Sequence, residues 1–365
     1  MSEKRAESGR TVGQKNARSI GQMLVSADRD RFVEIDPDKV SRGSFYTTDG
    51  AWLNAPVRAF LSQAFFTNTS ALDPFAGDGH LLDLVRREFG VATFGLDIAG
   101  DKWARNDSLV SIPNASSSVI VTNPPYLANH SAKRKGVDGL VATYFDGSDY
   151  DNLYKIALDK CLAAADFVVA VIPETFLLSS FDKSRLALVS VIEGDLFADT
   201  EAPAVVACFG PDGLQQLGEF KLGNASVYNG DALIGSLHEI FELRTGRARS
   251  GIQIVFNDPN GRIGLRAVDS HDGVRRIEFI YGDFEYKRTR IKVSSRLLTY
   301  LDVPELSDAQ IQELVVRANA HLEILRAKSS DLILAPFKGN DKKGNRRRRL
   351  DYALARQIIN ANLNA

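Results

Sequence analysis

Cysteine is scarce in this chain of 365 residues, which contains two, Cys161 and Cys208, and no Cys-x-x-Cys pair. This scarcity excludes a disulfide scaffold and a cysteine-based zinc site, and it fits a reducing compartment. No apolar run approaches the roughly 20 residues needed to cross a bilayer, and the first ten residues contain no apolar signal core. The sequence therefore predicts a soluble cytoplasmic protein with no membrane partner.

An excess of charge of one sign is also missing. The 45 Lys and Arg residues are balanced by 46 Asp and Glu residues, which gives a formal net charge of -1. A histone-like basic protein is thus excluded, and any surface for nucleic acid has to come from clustered charges. With 44% hydrophobic and 25% charged residues the composition is globular, and the length predicts one large domain or two smaller ones.

Three regions differ in character along the chain. Residues 1–40 are polar with weak periodicity, which predicts a flexible N-terminal arm. Residues 41–210 alternate strand and helix patterns: Ser118–Thr122 is nearly all apolar, as a strand buried on both faces should be, and His80–Phe89 has helical spacing. This α/β alternation predicts a doubly wound, mostly parallel sheet.

Residues 211–365 have a different pattern, with more glycine and more charge. Short amphipathic segments at 252–256, 277–281 and 291–293 are typical of strands, and residues 304–327 are typical of a helix or a helix pair. These patterns predict a smaller, mixed α+β second domain.

A glycine-rich turn, Asp-Pro-Phe-Ala-Gly-Asp-Gly, occupies residues 73–79 between a strand pattern and a helical pattern. Such a turn lets the backbone approach a ligand closely and leaves helix N–H groups facing it. A dinucleotide fingerprint would need a third glycine where Leu82 stands, and there is no P-loop lysine. The remaining ligand is an adenosyl group without a diphosphate, although an ordinary tight turn would also explain Gly77 and Gly79.

Two acids follow the turn at the ends of the next strand patterns. Asp97, before Ile98, is placed to accept both ribose hydroxyls of such a ligand, or alternatively to cap a helix. Asp107, before Ser108, is placed to accept a hydrogen bond from an adenine amino group, or alternatively is an ordinary loop acid. The order in which the glycine turn and then the strand-end acid occur favours binding of the adenosyl ligand over these alternatives.

The tetrapeptide Asn123-Pro124-Pro125-Tyr126 directly follows the buried strand pattern. Two consecutive prolines remove two backbone donors and hold the chain extended, so that carbonyl acceptors point into the cleft at the carboxyl edge of the sheet. A planar substrate bearing an NH₂ group fits this site, because Asn123 Oδ1 and the Pro124 carbonyl accept its two hydrogens. A Pro-Pro turn that merely ends a strand explains the prolines but not the flanking Asn and Tyr.

With these motifs in this order, the chain resembles the S-adenosylmethionine-dependent N6-adenine DNA methyltransferases of restriction–modification systems, with the gamma order of motifs, over residues 41–210. The resemblance implies a Rossmann-like catalytic domain that binds S-adenosylmethionine, and a DNA target-recognition domain at 211–365. Residues 41–48 resemble the motif that precedes the glycine turn, and Asn152, Tyr154 and Glu174 fall among the later, weaker motifs. The implied cofactor-binding residues are Tyr46, Thr47, Asp73, Phe75, Ala76, Gly77, Gly79, Asp97, Ile98, Asp107, Ser108 and Asn123, and the implied catalytic residues are Asn123, Pro124, Pro125 and Tyr126.

The resemblance implies that a monomer binds double-stranded DNA and flips the target adenine out of the helix, with Tyr126 stacked on the base. It also implies protection of that DNA from a restriction endonuclease that acts separately. Cytosine-C5 methylation is excluded because neither cysteine lies in a Pro-Cys motif, and the related cytosine-N4 enzymes carry Ser where Asn123 stands. A methyltransferase acting on RNA or on a protein glutamine, a cytosine-N4 enzyme, and a non-catalytic DNA-binding module remain alternatives.

Clustered cations in the second half predict a surface for DNA phosphates. Between residues 271 and 300 basic and aromatic side chains interleave, and residues 338–349 contain seven basic residues. A solvated strand face and a flexible basic tract are the corresponding alternatives. The predicted DNA-binding residues are Arg275, Arg276, Lys287, Arg288, Arg290, Lys338, Arg346 and Arg347. The five histidines are dispersed, so no metal site is predicted.

Overall fold

A computed structural model describes residues 50–99, 102–136, 138–192, 203–244, 252–284, 287–291, 297–342 and 346–363. The strands of the principal sheet are β1 Ser70–Asp73, β2 Ala92–Asp97, β3 Ala104–Arg105, β4 Ser118–Thr122, β5 Phe167–Pro173, β6 Leu186–Val191, β7 Ala204–Phe209, β10 Ser226–Asn229 and β11 Ala232–Ser236. Strands β8 Gln216–Leu217 and β9 Phe220–Lys221 form a separate two-stranded sheet. The remaining strands are β12 Val255–Phe256, β13 Ile263–Arg266, β14 Glu278–Tyr281, β15 Leu298–Asp302, β16 Ala335–Asn340 and β17 Arg346–Arg349.

Eight α-helices are found among the described residues, and several begin or end at recognisable capping residues. They are α1 Ala55–Thr67, α2 His80–Phe89, α3 Asn129–Lys135, α4 Asp138–Phe145, α5 Leu153–Ala164, α6 Leu237–Glu242, α7 Asp308–Ser329 and α8 Tyr352–Asn362. Asn152 caps α5 by accepting from the Tyr154 amide, and Asp351 caps α8 by accepting from the Leu354 amide. Gly90 ends α2 with φ 66°, a left-handed conformation that suits glycine.

The principal sheet has nine strands in the order β3–β2–β1–β4–β5–β7–β6–β10–β11. Strands β3, β2, β1, β4 and β5 run parallel to one another, whereas β7 runs antiparallel between β5 and β6. From β1 the chain continues through β2 and β3 towards one edge of the sheet, whereas from β4 it continues through β5 towards the other edge. The order of the strands therefore reverses between β1 and β4, which pair directly. In an open α/β sheet the crevice at the carboxyl ends of such strands is where ligands bind. The glycine turn follows β1 and the tetrapeptide follows β4, so both predicted motifs lie at this crevice.

Helices cover both faces of this sheet. On one face, α1 and α2 pack through Phe60 and Leu82 against Val119 and Val121. On the other face, α5 packs through Leu158 against Ile120. The doubly wound, mostly parallel sheet that the sequence predicts is therefore confirmed, and His80–Phe89 and Ser118–Thr122 are respectively a helix and a buried strand. Cys161 lies in a helix and Cys208 in a strand, and both are buried.

Beyond residue 210 the chain first extends the same sheet and then forms a separate core. Strands β10 and β11 join the nine-stranded sheet, with β10 parallel to β6, so the sheet continues past the predicted boundary. A second, antiparallel sheet, β12–β15–β13–β14, shares a core with α7 and α8. The helical pattern at 304–327 is one helix, α7. The strand expected at 291–293 differs: Ile291 follows a 3₁₀ turn, and 292–293 lie outside the described residues.

Candidate active site

The glycine turn is a tight loop between β1 and α2. The Ala76 amide donates to the Leu96 carbonyl of β2 over 2.9 Å, and the Gly79 amide donates back to the Ala76 carbonyl over 2.7 Å. Gly77 and Gly79 have φ values of 46° and 83°, which favour glycine because a side chain is strained there. The loop thus brings its backbone across the end of β2.

Asp97 lies at the end of β2 and holds the loop directly. Its Oδ2 accepts from the Gly77 amide over 3.0 Å, and its Oδ1 accepts from the Ala99 amide over 2.8 Å. A carboxylate has about four acceptor sites, so these two bonds leave acceptor capacity on both oxygens. Half of the neighbouring Ile98 surface is exposed at the same edge. The structure therefore brings together Gly77, Asp97 and Ile98 at one edge of the sheet, and their role in binding a ribose and an adenine stays a prediction.

Trp103 packs on the glycine loop, a contact that no pattern in the sequence predicts. Its indole Nε1 donates to the Gly77 carbonyl over 2.8 Å. A Cβ added at Gly79 would come within 2.6 Å of the ring, and one added at Gly95 within 2.4 Å. Glycine at these two positions therefore lets the indole lie against the loop. Lys102 lies over the same ring and donates to the Asp78 carbonyl over 2.6 Å.

Asp73 ends β1 and is buried beneath the loop. Its Oδ1 accepts from the Phe75 amide over 3.0 Å and from the Thr122 hydroxyl over 2.6 Å. Burial raises the pKa of Asp73 from 3.8 to about 7, and the hydrogen bonds from Thr122 and Phe75 oppose this rise. Thr122 immediately precedes Asn123, so one buried hydrogen bond joins the glycine loop to the tetrapeptide.

The tetrapeptide leaves the end of β4 with Pro124 buried and the other three residues half-buried. The Tyr126 hydroxyl lies 2.6 Å from Asn123 Oδ1 and 2.6 Å from the Val171 carbonyl of β5. Burial raises the pKa of Tyr126 well above its ordinary value, so the hydroxyl stays a donor. The Tyr126 ring packs edge-to-face against Tyr154 of α5, with ring centroids 6.4 Å apart. Tyr126 thus braces Asn123 against β5, and its stacking on a base stays a prediction.

Asp107 lies in the turn after β3 and is held by Tyr144 of α4. The Tyr144 hydroxyl donates to Asp107 Oδ2 over 2.8 Å, while Oδ1 accepts from the Leu109 amide over 3.2 Å. Burial and the adjacent Asp107 raise the pKa of Tyr144 to about 12. Ser108 is buried and accepts from the Asn106 amide group over 2.8 Å. The helix that supplies Tyr144 was not predicted, so this contact was missed.

A cavity of about 940 Å³ lies beside Tyr144, and five carboxylates and two lysines line its walls. The carboxylates belong to Asp146, Asp149, Asp151, Asp159 and Asp182. Phosphates are repelled by such a wall, so a nucleic acid would approach the crevice from another side.

The predicted DNA-binding cations differ in their contacts within the protein and in their exposure. Arg288 donates to Asp283, Pro259 and Gly261 and lies over the Tyr300 ring at 3.9 Å, so it holds the second sheet together. Arg276 pairs with Glu323 over 3.4 Å. Arg347 donates to the Asp269 carbonyl and lies over Phe337. The side chains of Arg275, Arg276, Lys287 and Arg290 are exposed.

Strand β17 pairs antiparallel with β16, and these two strands, which contain most of the described residues of the basic tract at 338–349, are called the basic hairpin. Within it, Arg348 is buried and pairs with Glu174, a contact that the sequence did not indicate. The side chains of Lys338 and Arg346, and the predicted cofactor residues Tyr46 and Thr47, lie outside the described residues.

Neither a metal centre nor a membrane span is found among the residues that the structure describes. No group of three or more His, Cys, Asp or Glu side chains among the described residues is arranged to hold a metal ion. No described helix combines the length and the hydropathy that a transmembrane segment needs.

No protein-family model and no curated protein matches the chain. Among solved structures, a protein from Listeria monocytogenes assigned to the class I S-adenosylmethionine-dependent methyltransferases is 12% identical, with a TM-score of 0.35, over 59% of this chain and 71% of that one. A type I restriction–modification methyltransferase subunit from Streptococcus thermophilus is 16% identical, with a TM-score of 0.34, over 50% of this chain and 47% of that one. A structure described as an RNA methyltransferase from Pyrococcus horikoshii is 13% identical, with a TM-score of 0.27, over 54% of this chain and 99% of that one. The match spans about half the length of the restriction–modification subunit, and the activity of this chain has to be argued from its own residues.

Proposed function

We propose that this chain is an S-adenosylmethionine-dependent methyltransferase that transfers a methyl group to N6 of adenine in double-stranded DNA. The observation that carries the proposal is the hydrogen bond between Thr122 and Asp73, which holds the glycine loop and the tetrapeptide side by side where the sheet order reverses. A cofactor on the loop and an amine at the tetrapeptide would therefore meet in one crevice.

The residues at the loop fit S-adenosylmethionine. Asp97 has acceptor capacity for the ribose hydroxyls, Ile98 offers an apolar surface for the adenine ring, and Asp107 accepts at the next strand end. The loop carries no lysine for a diphosphate. S-adenosylmethionine would supply, when bound, an activated methyl group: the sulfonium–methyl bond would break as the bond to the substrate nitrogen forms, S-adenosylhomocysteine would leave, and the proton lost from the nitrogen would pass to water, with no covalent intermediate on the enzyme.

The tetrapeptide supplies acceptors for the substrate amine. Asn123 Oδ1 and the Pro124 carbonyl accept the two N6 hydrogens and orient the nitrogen, so the gain in rate comes from positioning and electrostatics. Tyr126 holds Asn123 Oδ1 at 2.6 Å and offers its ring to the flipped base. The side chain at position 123 is Asn and not Ser, which favours adenine over cytosine N4 within the resemblance stated above.

The exposed cations of the C-terminal region favour a nucleic acid over a protein as the substrate, and the gamma order of the motifs favours double-stranded DNA over RNA. Arg275, Lys287 and Arg290 are exposed and suited to phosphate contacts. The chain would act as a monomer in the cytoplasm and protect DNA from a separately acting restriction endonuclease.

Incubation of the protein with methyl-labelled S-adenosylmethionine and, in parallel, DNA, RNA and protein extract tests the substrate class. We expect label in DNA, recovered as N6-methyladenine after digestion to nucleosides. Label confined to RNA or to protein would overturn the DNA assignment, and N4-methylcytosine would overturn the adenine assignment.

Asn123→Ala tests the site itself. We expect this variant to lose methyl transfer while its affinity for S-adenosylmethionine stays within about twofold of the wild type, because all the other predicted cofactor-binding residues remain in place. Asn114→Ala is a matched control, since Asn114 is exposed and bonds only its own turn at Ser116 among the contacts described. Full activity of Asn123→Ala would refute the assigned role.

A further inference from the structure

We propose that the buried ion pair between Glu174 and Arg348 positions the basic hairpin, β16–β17, relative to the catalytic tetrapeptide. This inference rests on the proposed methyl transfer to nucleic acid. In this role Glu174 and Arg348 hold the basic hairpin in position relative to the tetrapeptide. They neither contact phosphate nor take part in methyl transfer.

The pair is almost completely removed from solvent. Glu174 is 1% exposed and Arg348 is 4% exposed, and Arg348 Nη1 donates to Glu174 Oε1. Isolated charges cost several kcal/mol each to bury, so burial at this level requires that the two side chains stay together. Arg348 therefore cannot serve as a phosphate contact while the hairpin is docked, although it lies in the most basic tract of the sequence.

Glu174 belongs to the strand end that also supports the tetrapeptide. It begins the 3₁₀ turn Glu174–Phe176 that directly follows β5. Three residues earlier, the Val171 carbonyl lies 2.6 Å from the Tyr126 hydroxyl. One residue later, Thr175 forms a side-chain hydrogen bond with Tyr154, whose ring packs against Tyr126. The end of β5 thus contacts the tetrapeptide and the hairpin within five residues.

On its other side the hairpin is held firmly by Asp269. The Arg348 amide donates to Asp269 Oδ2 over 3.1 Å, and the Asp269 amide donates to the Arg348 carbonyl over 3.1 Å. Asp269 also pairs with Arg326 of α7, which is 4% exposed. Because the hairpin is fixed to the second core in this way, the contact from Arg348 to Glu174 sets where that core and its exposed cations stand relative to Asn123.

Single and paired neutral substitutions separate alignment from stability. Glu174→Gln or Arg348→Met alone leaves one buried charge without its partner, so we expect both variants to unfold more easily. The double variant Glu174→Gln with Arg348→Met removes both charges and should recover most of the lost thermal stability. We expect its kcat on DNA to stay at least tenfold below the wild type, with its affinity for S-adenosylmethionine within twofold.

Glu278→Gln is the matched control, because Glu278 pairs with Arg266 at a partly exposed site of the second sheet. We expect this control to keep wild-type kcat. If the double variant regains both wild-type stability and wild-type kcat, the pair is merely structural and the inference is wrong.

Amide hydrogen exchange tests the alignment without any activity. In the double variant we expect at least tenfold faster exchange in residues 335–342 and 126–128, with unchanged exchange in α2. Unchanged exchange in both segments would overturn the inference even if the wild type proves active. Absence of methyl transfer by the wild type to any nucleic acid would defeat the proposed function, while the exchange result would still decide the alignment.

Discussion

Thr122 donates its hydroxyl to Oδ1 of Asp73 over 2.6 Å, across the two strands where the order of the sheet reverses. Both side chains are buried. The bond fixes the end of β4, and with it Asn123, to the base of the glycine loop. The spacing of the proposed cofactor site and the proposed amine site is therefore set by one contact between adjacent parallel strands.

Thr122→Val tests this contact because valine keeps the shape of threonine and removes the hydroxyl. When a buried carboxyl group loses a hydrogen-bond partner, the folded state is destabilised by about 2 kcal/mol. We expect the free energy of unfolding to fall by about that amount, and the affinity for S-adenosylmethionine to fall several-fold. Denaturant titration and calorimetric binding measure the two effects. Thr122→Ser, which keeps the donor, should change both much less, and equal effects of the two variants would contradict the argument.

The pKa of Asp73 predicts a dependence of stability on pH. It is raised from 3.8 to about 7, so between these values the folded chain keeps a proton that the unfolded chain has released. The stabilising contribution of Asp73 is complete below pH 4 and is lost as the pH rises towards 7. Relative to Asp73→Asn, the wild type should lose roughly 1.4 kcal/mol of unfolding free energy per pH unit in this window. Parallel curves for the two proteins would contradict the raised pKa.

The indole of Trp103 makes the glycine loop observable by fluorescence. The chain has two tryptophans, and Trp52 is buried in the core, 1% exposed. In Trp52→Phe the emission comes from Trp103 alone, whose Nε1 donates to the Gly77 carbonyl. We expect S-adenosylmethionine to shift or quench this emission with saturable dependence on its concentration. Trp103→Phe, with Trp52 kept, should lose the response. If the emission of Trp52 still responds to S-adenosylmethionine in that variant, the cofactor binds elsewhere.

The Tyr126 hydroxyl is predicted to matter separately from its ring. Tyr126→Phe keeps the ring and removes the contacts with Asn123 Oδ1 and the Val171 carbonyl. We expect kcat to fall about tenfold, as loss of one orienting hydrogen bond of about 1.4 kcal/mol implies, with little change in KM. Tyr126→Ala should in addition raise KM for DNA because the stacking surface is lost. A Phe variant with wild-type kcat would show that the hydroxyl does not position Asn123.

Arg185 is predicted to stabilise the sheet at the edge opposite the site. Its guanidinium donates to four carbonyls, those of Leu162, Ala165, Asp166 and Gly210, over 2.6–2.9 Å. Arg185→Met should lower the free energy of unfolding by about 3 kcal/mol, since it leaves several part-buried carbonyls without this donor. At a temperature where the variant stays folded, its affinity for S-adenosylmethionine should equal that of the wild type. A weakened affinity under those conditions would show that this edge communicates with the site.

The sequence predicted the elements whose signals are local. Ser118–Thr122 and His80–Phe89 have the bounds that their apolar patterns indicate, because strands buried on both faces and amphipathic helices carry clear periodicities. The short strands of the second half were less predictable. They span only two to six residues, strands such as β13 show no regular alternation of burial, and pairing partners such as β13 and β15 lie more than 30 residues apart.

Contacts between distant side chains could not be predicted in the same way. Trp103 lies on Gly77 and Gly79, and Tyr144 bonds Asp107, through turns and helices whose paths carry no periodic signal. Residues 346–349 are all arginine, so their composition does not distinguish them, yet Arg348 is buried against Glu174 while Arg347 is half-buried. Composition counts charges but does not tell which of them are neutralised inside the protein.

By itself, the sequence determined the doubly wound sheet and the chemistry at two strand ends, a glycine turn after β1 and an acceptor tetrapeptide after β4, since both are written in consecutive residues. Only the tertiary structure decided that these strands are neighbours, that Thr122 bonds Asp73, and that Glu174 receives Arg348 from 174 positions away. Strand order and the pairing of buried charges are chosen by which packing leaves the fewest polar groups unsatisfied, a property of the whole chain and not of any segment.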